Sequence, residues 1–313
     1  MKIRNIILVS AGIAVVFAAI GYFRVRTAGP ADELSPDALA ATAKRLVEAG
    51  PAAEGSPSKD RVQALIEAEL AAAGARVKVL PFTAEVPGHG TWQLANVVGS
   101  FHPEAKRRLM LGTHWDTRPW ADEDADPGRR AKPIVGANDG VSGVAVLLEI
   151  ARALGQNPPP AGTGVDLVFF DGEEGPKGTD AYFLGSKQLA EGWYELGLAP
   201  PSKGVVVDMV GKQGLRIRRE AASNQLARSV NDRIFRIAND RGARVFADEL
   251  GPRVSDDHVA FQSRNLPVAL LIDMDYPAWH TAGDTLDQLD PKAMDQVAEV
   301  VLAWVREEAG EVR

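Results

Sequence analysis

Cysteine is absent from all 313 residues of the chain. Without thiols the protein has no disulfide bond, no thiolate metal ligand, no catalytic cysteine and no lipid-modified cysteine. Any zinc site in this chain must therefore be built from imidazole and carboxylate groups.

The chain also lacks an excess of positive charge. Its formal net charge is −7, with a pI of about 5.4, and no run of lysine and arginine is interleaved with aromatic residues. Nucleic acid is therefore not an expected partner. Hydrophobic residues make up 45% of the chain and charged residues 25%, a balance typical of a folded globular protein with a full core.

One long uncharged segment stands near the start of the chain. Residues 6–23 are mostly apolar and about long enough to cross a bilayer as a helix. We interpret residues 1–26 as a signal peptide or N-terminal membrane anchor, followed by a linker at 27–34. The run exceeds the roughly 7–15 apolar residues of a cleaved signal, which favours an anchor. Arg24 and Arg26 count against an anchor, because they would lie on the exported side of the membrane. The sequence thus predicts an exported protein, periplasmic or on the extracellular face.

Helical and strand patterns alternate after the linker. Residues 36–48 and 59–73 predict helices that begin after capping serines, and residues 77–86 and 92–101 predict an antiparallel strand pair at a sheet edge. Runs made up almost entirely of apolar residues predict strands buried on both faces, at 109–112, 165–170, 205–207 and 268–272. Further helices are predicted at 140–154, 221–241 and 291–308. This order indicates a single α/β domain, residues 35–313, with a mixed, mostly parallel sheet flanked by helices.

Five potential metal ligands stand at or just past the carboxyl ends of the apolar runs, or at the head of a helix: His114, Asp139, Glu174, Asp208 and His280. Because the carboxyl ends of parallel strands meet at one edge of a sheet, we expect these side chains to converge. Imidazole and carboxylate groups are ligands that zinc accepts. The sequence therefore predicts a zinc site at this edge.

Three of these five residues have a second interpretation when each is considered alone. His114 fits a solvated loop histidine as well as a ligand whose ring is oriented by Asp116. Asp139 fits an ordinary helix N-cap, and Asp208 fits a strand-end carboxylate bonded to backbone amides. The remaining histidines have less favourable settings, and we interpret His89 and His102 as exposed loop residues.

The Glu173–Glu174 pair is separated by two residues from the apolar strand that ends at Phe170. Adjacent carboxylates repel each other, so the pair indicates a compensating cation. One glutamate can bind a metal while the other acts as general acid and base.

Several segments together resemble the glutaminyl-peptide cyclotransferases, or glutaminyl cyclases, over roughly residues 36–308. They are Thr-His-Trp-Asp-Thr-Arg-Pro-Trp-Ala-Asp at 113–122, Gly-Ala-Asn-Asp-Gly at 136–140, Phe-Phe-Asp-Gly-Glu-Glu at 169–174, Asp-Asp-His at 256–258 and Trp-His-Thr at 279–281. These enzymes share a fold with the di-zinc aminopeptidases, and the metal motifs are common to both. The residues at 117–122, the doubled aspartate at 256–257 and Trp279 are more particular to the cyclases.

The resemblance implies a zinc-aminopeptidase-like (phosphorylase/hydrolase-like) fold and one zinc, held by Asp139, Glu174 and His280. It also implies that an N-terminal glutamine of a peptide or protein is cyclised to pyroglutamate, with release of ammonia. The implied roles of the other residues are proton transfer by Glu173, a hydrogen-bond network through Asp208 and Asp256, and a pocket wall at Trp279. Animal cyclases carry a tryptophan soon after the glutamate pair and a histidine in the strand before the ligand histidine; here those places hold residues 175–179 and Leu270.

Two other functions stay open from the sequence. With His114 and Asp208 present, a second zinc bridged by Asp139 would give a di-zinc aminopeptidase, in which Glu173 activates a water. A non-catalytic, membrane-tethered binding domain is a remoter alternative. Loss of ligands would mark such a domain, and none of the five is missing.

Overall fold

The computed structural model describes residues 34–310, which all fall within one compact unit. The predicted signal or anchor at 1–26 and most of the predicted linker lie outside the described residues. No helix in the described part of the chain is long and apolar enough to cross a membrane.

A six-stranded sheet forms the centre of the domain, and a small parallel pair lies apart from it. The strands are β1 Arg76–Val86, β2 Gly90–Phe101, β3 Arg107–His114, β4 Thr163–Phe170, β5 Lys203–Val207, β6 Ile217–Arg219, β7 Phe246–Leu250 and β8 Val268–Leu271. The central order is β1-β2-β4-β3-β5-β8, and β6 pairs with β7. Strands β3, β4, β5 and β8 run parallel, whereas β1–β2 and β2–β4 are antiparallel. The predicted mixed, mostly parallel sheet is confirmed.

Helices cover both faces of the sheet: α1 Pro36–Ala49, α2 Lys59–Ala72, α3 Ser142–Gln156, α4 Leu184–Glu191, α5 Ser223–Leu226, α6 Arg228–Arg241, α7 His258–Gln262 and α8 Pro291–Gly310. Successive side chains of a strand point to opposite faces. Leu109 and Leu111 therefore pack in the core under α1, α3 and α8, while Met110 packs in the second core with Phe261 of α7. Burial on both faces explains why these strands are almost entirely apolar.

The two N-terminal helices form where expected, but they begin differently. In α1 the Ser35 hydroxyl accepts a hydrogen bond from the Ala38 amide at 3.2 Å, as a capping serine should. Ser58 does not cap α2; its hydroxyl donates to the Pro51 carbonyl at 2.6 Å. The capping prediction for α2 is therefore wrong, because the Ser58 hydroxyl bonds to the Pro51 carbonyl rather than to an amide of the helix.

Two predicted helix boundaries are also wrong. The helix predicted over 221–241 is broken at Ala227, whose backbone (φ −124°, ψ 33°) separates α5 from α6. The helix predicted from residue 140 begins only at Ser142. The five residues before it, Ala137–Val141, form a separate turn in which Asp139 and Gly140 leave the helical conformation. That turn carries one of the predicted metal ligands.

Candidate active site

The predicted ligands lie around one edge of the sheet. His114 ends β3, Asp208 directly follows β5, and Glu174 lies in the loop after β4. His280 lies in the loop after β8, and Asp139 lies in the turn before α3. Strands β4 and β5 both pair with β3 and run parallel to it. The loops that follow the three strands therefore lie side by side at the carboxyl edge of the sheet.

Asp139, Glu174 and His280 form a compact cluster. His280 Nε2 lies 3.5 Å from Asp139 Oδ2 and 3.3 Å from Glu174 Oε1. Both of these oxygens are buried and accept no hydrogen bond from any described residue. Buried acceptors without a partner are costly, so a cation is the natural complement. Two carboxylates and an imidazole fit zinc and leave a fourth position open.

Arg118 fixes the orientation of Glu174. Its Nη1 donates to Glu174 Oε2 at 2.7 Å and to the Gly175 carbonyl at 3.0 Å. The other edge of the buried guanidinium pairs with both oxygens of Asp122, at 2.7 Å each. Burial alone would raise the pKa of Glu174, but His280 and Arg118 lower it to about 2. Glu174 is thus an anion whose free oxygen, Oε1, faces the cluster.

Two glycines allow the turn that carries Asp139. Gly136 has φ of 65° and Gly140 has φ of 103°, both in the left-handed region. A Cβ at Gly136 would lie 2.3 Å from the Asp139 carbonyl oxygen. Asp139 itself has φ −89° and ψ 91°, outside the helical region. The Gly-Ala-Asn-Asp-Gly segment is therefore required for the shape of this turn.

Asp284 fixes the same turn from the loop that carries His280. Its carboxylate accepts hydrogen bonds from the Asn138 amide at 2.8 Å, the Asp139 amide at 3.1 Å and the Tyr276 hydroxyl at 2.6 Å. The Asp139 side chain is left to face His280, so its interpretation as an N-cap is wrong. Sequence reasoning missed Asp284, and no local pattern singles it out.

His114 bridges two carboxylates beside the cluster. Its Nε2 lies 3.0 Å from Asp208 Oδ1 and 3.4 Å from Asp139 Oδ1, and its Nδ1 lies 3.0 Å from the Asp116 carbonyl. Because a carbonyl only accepts, Nδ1 carries a proton and Nε2 faces the two acids. Burial favours the neutral ring, but Asp208 and the neighbouring acids raise the pKa of His114 well above its ordinary value. A ring protonated on both nitrogens suits this position. A metal ion bound by His114, Asp139 and Asp208 also suits it.

Asp116 orients the His114 ring, as expected, but chiefly through its backbone carbonyl. Its carboxylate Oδ1 lies farther away, 3.8 Å from His114 Nδ1, and is one of the groups that raise the pKa of His114. The two carboxylate oxygens also accept from the amides of Glu173, at 3.2 Å, and Glu174, at 3.1 Å. Asp116 therefore fixes the backbone of the glutamate pair. The solvated-loop interpretation of His114 is wrong, since the ring is buried.

Glu173 faces the pocket rather than the cluster. Its side chain is 15% exposed, and its Oε2 lies 4.0 Å from His114 Nδ1. Burial and the adjacent Glu174 raise the pKa of Glu173 well above the ordinary carboxyl range. A carboxyl group whose pKa is raised in this way is suited to take up and release a proton during a reaction.

A pocket of about 260 Å³ opens onto these groups. Its polar wall contains Asp139, Glu173, Glu174, Asp208, Asp256 and His280. Trp279 forms part of the apolar wall and stacks on His280, with ring centroids 3.7 Å apart and planes at 24°. Tyr182 and Phe183 also line the pocket, two aromatic residues that sequence reasoning missed.

Asp256 and Asp208 are both buried at this wall. Asp256 Oδ1 accepts from the Asp257 amide at 2.6 Å. Burial and the charge of Asp208 raise the pKa of Asp256 well above its ordinary value. The two carboxyl groups are thus placed to share hydrogen bonds with a polar ligand.

The other histidines lie elsewhere. His89 is exposed, as expected. His102 is half-buried, with Nε2 2.8 Å from the Pro159 carbonyl, so its interpretation as an exposed residue is wrong. His258 is buried, with Nε2 3.5 Å from Glu220 Oε2.

Residues 96–305 match the model of peptidase family M28. A mouse glutaminyl-peptide cyclotransferase-like protein is 31% identical over 283 residues, which cover 82% of this chain and 72% of the mouse protein. The structure of Porphyromonas gingivalis glutaminyl cyclase aligns with a TM-score of 0.83 and 32% identity, over 89% of this chain and all of that one (100%). A leucine aminopeptidase precursor from Bacteroides thetaiotaomicron aligns with a TM-score of 0.82 and 31% identity, over 87% and 97% of the two chains. With a match over this much of its length, the chain belongs to peptidase family M28.

Proposed function

We propose that this protein is a zinc-dependent glutaminyl-peptide cyclotransferase. It cyclises the N-terminal glutamine of peptides or proteins to pyroglutamate and releases ammonia. The P. gingivalis relative is named a glutaminyl cyclase and the mouse relative a glutaminyl-peptide cyclotransferase-like protein, and both align over most of their length.

The position of Trp279 is the main structural observation in support of this proposal. Its indole ring lies flat against the His280 imidazole and lines the pocket. A flat wall here suits a substrate residue that folds back on itself, because it limits the conformations open to the glutamine side chain. Hydrolysis of a peptide bond has no corresponding need to bend the first residue.

Asp139, Glu174 and His280 would hold one zinc ion. Their two unpaired buried oxygens and the imidazole nitrogen are the observation that supports this ligand set. When bound, zinc supplies Lewis acidity toward the side-chain amide oxygen of the glutamine. Arg118 and Asp284, which are not ligands, keep Glu174 and Asp139 oriented for it.

Glu173 transfers the proton. The substrate α-amine attacks its own side-chain amide carbon, so a carbon–nitrogen bond forms within the residue and the bond to the amide nitrogen breaks. Glu173 takes a proton from the α-amine and delivers it to the departing nitrogen, which leaves as ammonia. No water is consumed. Asp208 and Asp256 accept hydrogen bonds from the bound residue, and the His114 ring holds Asp208 in place.

A di-zinc aminopeptidase is the second candidate. The observation that favours it is the group His114, Asp139 and Asp208, which shares Asp139 with the first cluster. Its ligand atoms lie within 4.8 Å of one another. In that arrangement Glu173 would activate a water for attack on the peptide carbonyl.

Two peptides distinguish these functions. The purified chain from Asp32 onward is incubated with a glutamine-initiated and a leucine-initiated peptide. We expect ammonia release and loss of the free amine from the first, and cleavage of neither. Hydrolysis of the leucine peptide without cyclisation of the glutamine peptide would contradict the cyclase and support the aminopeptidase. No reaction with either would favour the non-catalytic binding domain.

The cellular location is part of the proposal. Residues 6–23 support export and retention by an N-terminal anchor, with the catalytic domain on the periplasmic or extracellular side. The full chain should sediment with membranes, whereas a chain beginning at Asp32 should not. Recovery of a product that lacks residues 1–26 in the soluble exported fraction would show a cleaved signal peptide instead.

A further inference from the structure

A buried ion pair lies at the start of the loop that carries Glu173 and Glu174. Lys59, the first residue of α2, places its Nζ 3.0 Å from Asp171 Oδ1, and the two side chains are 11% and 1% exposed. Asp171 directly follows β4 and stands two residues before Glu173. The pair therefore joins this loop to a helix that lies outside residues 96–305, the part of the chain that matches the family model.

Asp171 fixes the start of the loop through its side chain and its backbone. Its Oδ2 accepts from the Ala95 amide at 2.7 Å, and its own amide donates to Asn96 Oδ1 at 3.0 Å. Among the described residues, Oδ1 meets no donor other than the Lys59 ammonium. Removal of one partner of a buried ion pair leaves the other charge uncompensated, which is costly. The bonds from Asp171 to β2 therefore depend on Lys59.

The Lys59 ammonium also acts on Asp116, the second carboxylate that holds the loop. Burial alone would lower the pKa of the lysine, but the charge of Asp171 raises it above its ordinary value. Glu54, whose Oε2 lies 2.6 Å from Nζ, and Asp116 act in the same direction, so the lysine stays protonated. Because Asp116 accepts from the amides of both glutamates, one cation supports two carboxylates that bind the ends of the same short segment.

Glu173 depends on this segment more than Glu174 does. The Glu174 carboxylate is held directly by Arg118. Within residues 34–310 the Glu173 carboxylate accepts no hydrogen bond, and the nearest ring nitrogen of His114 is 4.0 Å away. The backbone of residues 171–173 therefore sets the position of the Glu173 carboxyl group.

We propose that Lys59 is a positioning residue for the reaction: through Asp171 and Asp116 it holds the loop backbone that places Glu173 in the pocket. The inference rests on the proposed function, in which Glu173 transfers the proton. Helix α2 contributes no residue to the pocket itself, so Lys59 acts only through the loop. A displacement of about 1 Å in such a group is enough to slow a reaction by about 10²-fold.

A groove of about 480 Å³ gives access to the ion pair from the surface. It is lined by residues of α2, β1 and β2 together with Lys59 and Asp171. In Lys59→Ala, a small ammonium ion can enter this groove and take the place of Nζ beside Asp171. The charge of the lysine can thus be restored without its side chain.

Chemical rescue tests the role of Lys59. In Lys59→Ala, we expect kcat for Gln-Ala-Ala-amide to fall by about 10–100-fold, with KM nearly unchanged and the zinc content retained, since Arg118 still orients Glu174. Methylammonium or ethylammonium should restore part of kcat in a saturable manner, whereas ethanol, which is neutral, should not. The same amines should not raise kcat of the wild type. Lys44→Ala, which removes a lysine from an exposed pair on α1, should behave as the wild type.

Further variants separate the ion pair from general instability. Lys59→Arg, which keeps the charge, should retain more activity than Lys59→Met. The double variant Lys59→Met/Asp171→Asn leaves neither charge unpaired, so its loss of kcat should be smaller than the product of the two single losses. Unchanged kcat in Lys59→Ala, a loss that no amine restores, single losses that simply multiply, or zinc loss equal to the loss of kcat would each overturn the proposal.

Failure of the proposed function gives a different result. In that case the wild type cyclises no glutamine peptide, and crystal structures of the wild type and Lys59→Met decide the role of the lysine without turnover. A shifted backbone at 171–173 with a displaced Glu173 carboxyl group supports the positioning role. An unchanged Glu173 position removes it.

Discussion

Arg118 Nη1 donates to Glu174 Oε2 at 2.7 Å, and the other oxygen of Glu174, Oε1, lies 3.3 Å from His280 Nε2. One oxygen of the Glu174 carboxylate thus bonds to a buried arginine, and the other faces the ligand cluster. The geometry of the proposed metal site therefore depends on a residue that would not bind the metal, as is common for metal sites in proteins.

The first prediction concerns Arg118. Arg118→Gln removes the charge that orients Glu174 and leaves the half-buried Asp122 without its partner. We expect zinc affinity to fall by about 10–100-fold, the usual effect of losing such a supporting contact. Competition with a chelator measures it. Arg129→Gln, which removes an exposed arginine, serves as control, and unchanged zinc affinity in Arg118→Gln would contradict the assigned role.

The second prediction separates metal binding from proton transfer. Glu174→Gln should lose zinc as well as activity, because a neutral amide replaces a carboxylate ligand. Glu173→Gln should keep the zinc and lose turnover by roughly 10²–10⁴-fold, the scale of a missing general acid and base. Metal content and kcat are measured on the same preparations. Equal zinc loss in the two variants would refute this division of labour.

The third prediction concerns the number of zinc ions. Cyclisation needs one Lewis acid and a proton-transferring group, and Asp208 is assigned to hydrogen bonding rather than to a second metal, so we expect one tightly bound zinc per chain. His114→Ala should leave it in place, and Asp139→Ala should remove it. Elemental analysis after dialysis gives the count. Two tightly held ions, one of them lost in His114→Ala, would establish the di-zinc arrangement instead.

The fourth prediction concerns Asp284. In Asp284→Asn, one hydrogen-bonding side of the carboxylate becomes an NH₂ group that opposes a backbone N–H, so the turn carrying Asp139 loosens. Zinc affinity should fall more in Asp284→Asn than in Tyr276→Phe, which removes only the hydroxyl donor. Thermal unfolding of the zinc-free variants controls for general instability. Equal zinc affinity in wild type and Asp284→Asn would show that the contact does not position Asp139.

The fifth prediction is a pH dependence of stability at Glu220. Burial favours the neutral acid, but His258 and the amides of Ala222 and Ser223 lower the pKa of Glu220 to about 2. The unfolded value is about 4.3, so the ionised group stabilises the fold above that pH, and this contribution is lost as pH falls toward 2.

Glu220→Gln tests this dependence. The variant should be less stable than wild type by about 1–3 kcal/mol at neutral pH, because buried amides lose a charged acceptor. The difference should shrink between pH 4.3 and 2. Denaturant unfolding at several pH values measures it, and a difference that is constant down to pH 2 would contradict the assigned cause.

The sequence by itself determined the chemistry that is available and the type of each major element. The absence of cysteine restricts metal ligands to imidazole and carboxylate. Apolar runs such as 165–170 predicted buried strands because every residue of β4 is buried on one face or the other. The resemblance of residues 113–122 and 279–281 identified the residues around the site, but it did not reveal what Arg118 contacts.

Only the tertiary structure decided how these residues meet. The order β2-β4-β3-β5 places the ends of β4 and β5 on either side of β3, and so brings Asp208 to His114 from a distance of 94 residues along the chain. The Asp284–Asp139 bond spans 145 residues. Local periodicity reports which face of an element is buried, but not which strand lies beside it. Long-range pairing therefore set the candidate metal cluster and the turn at Asp139.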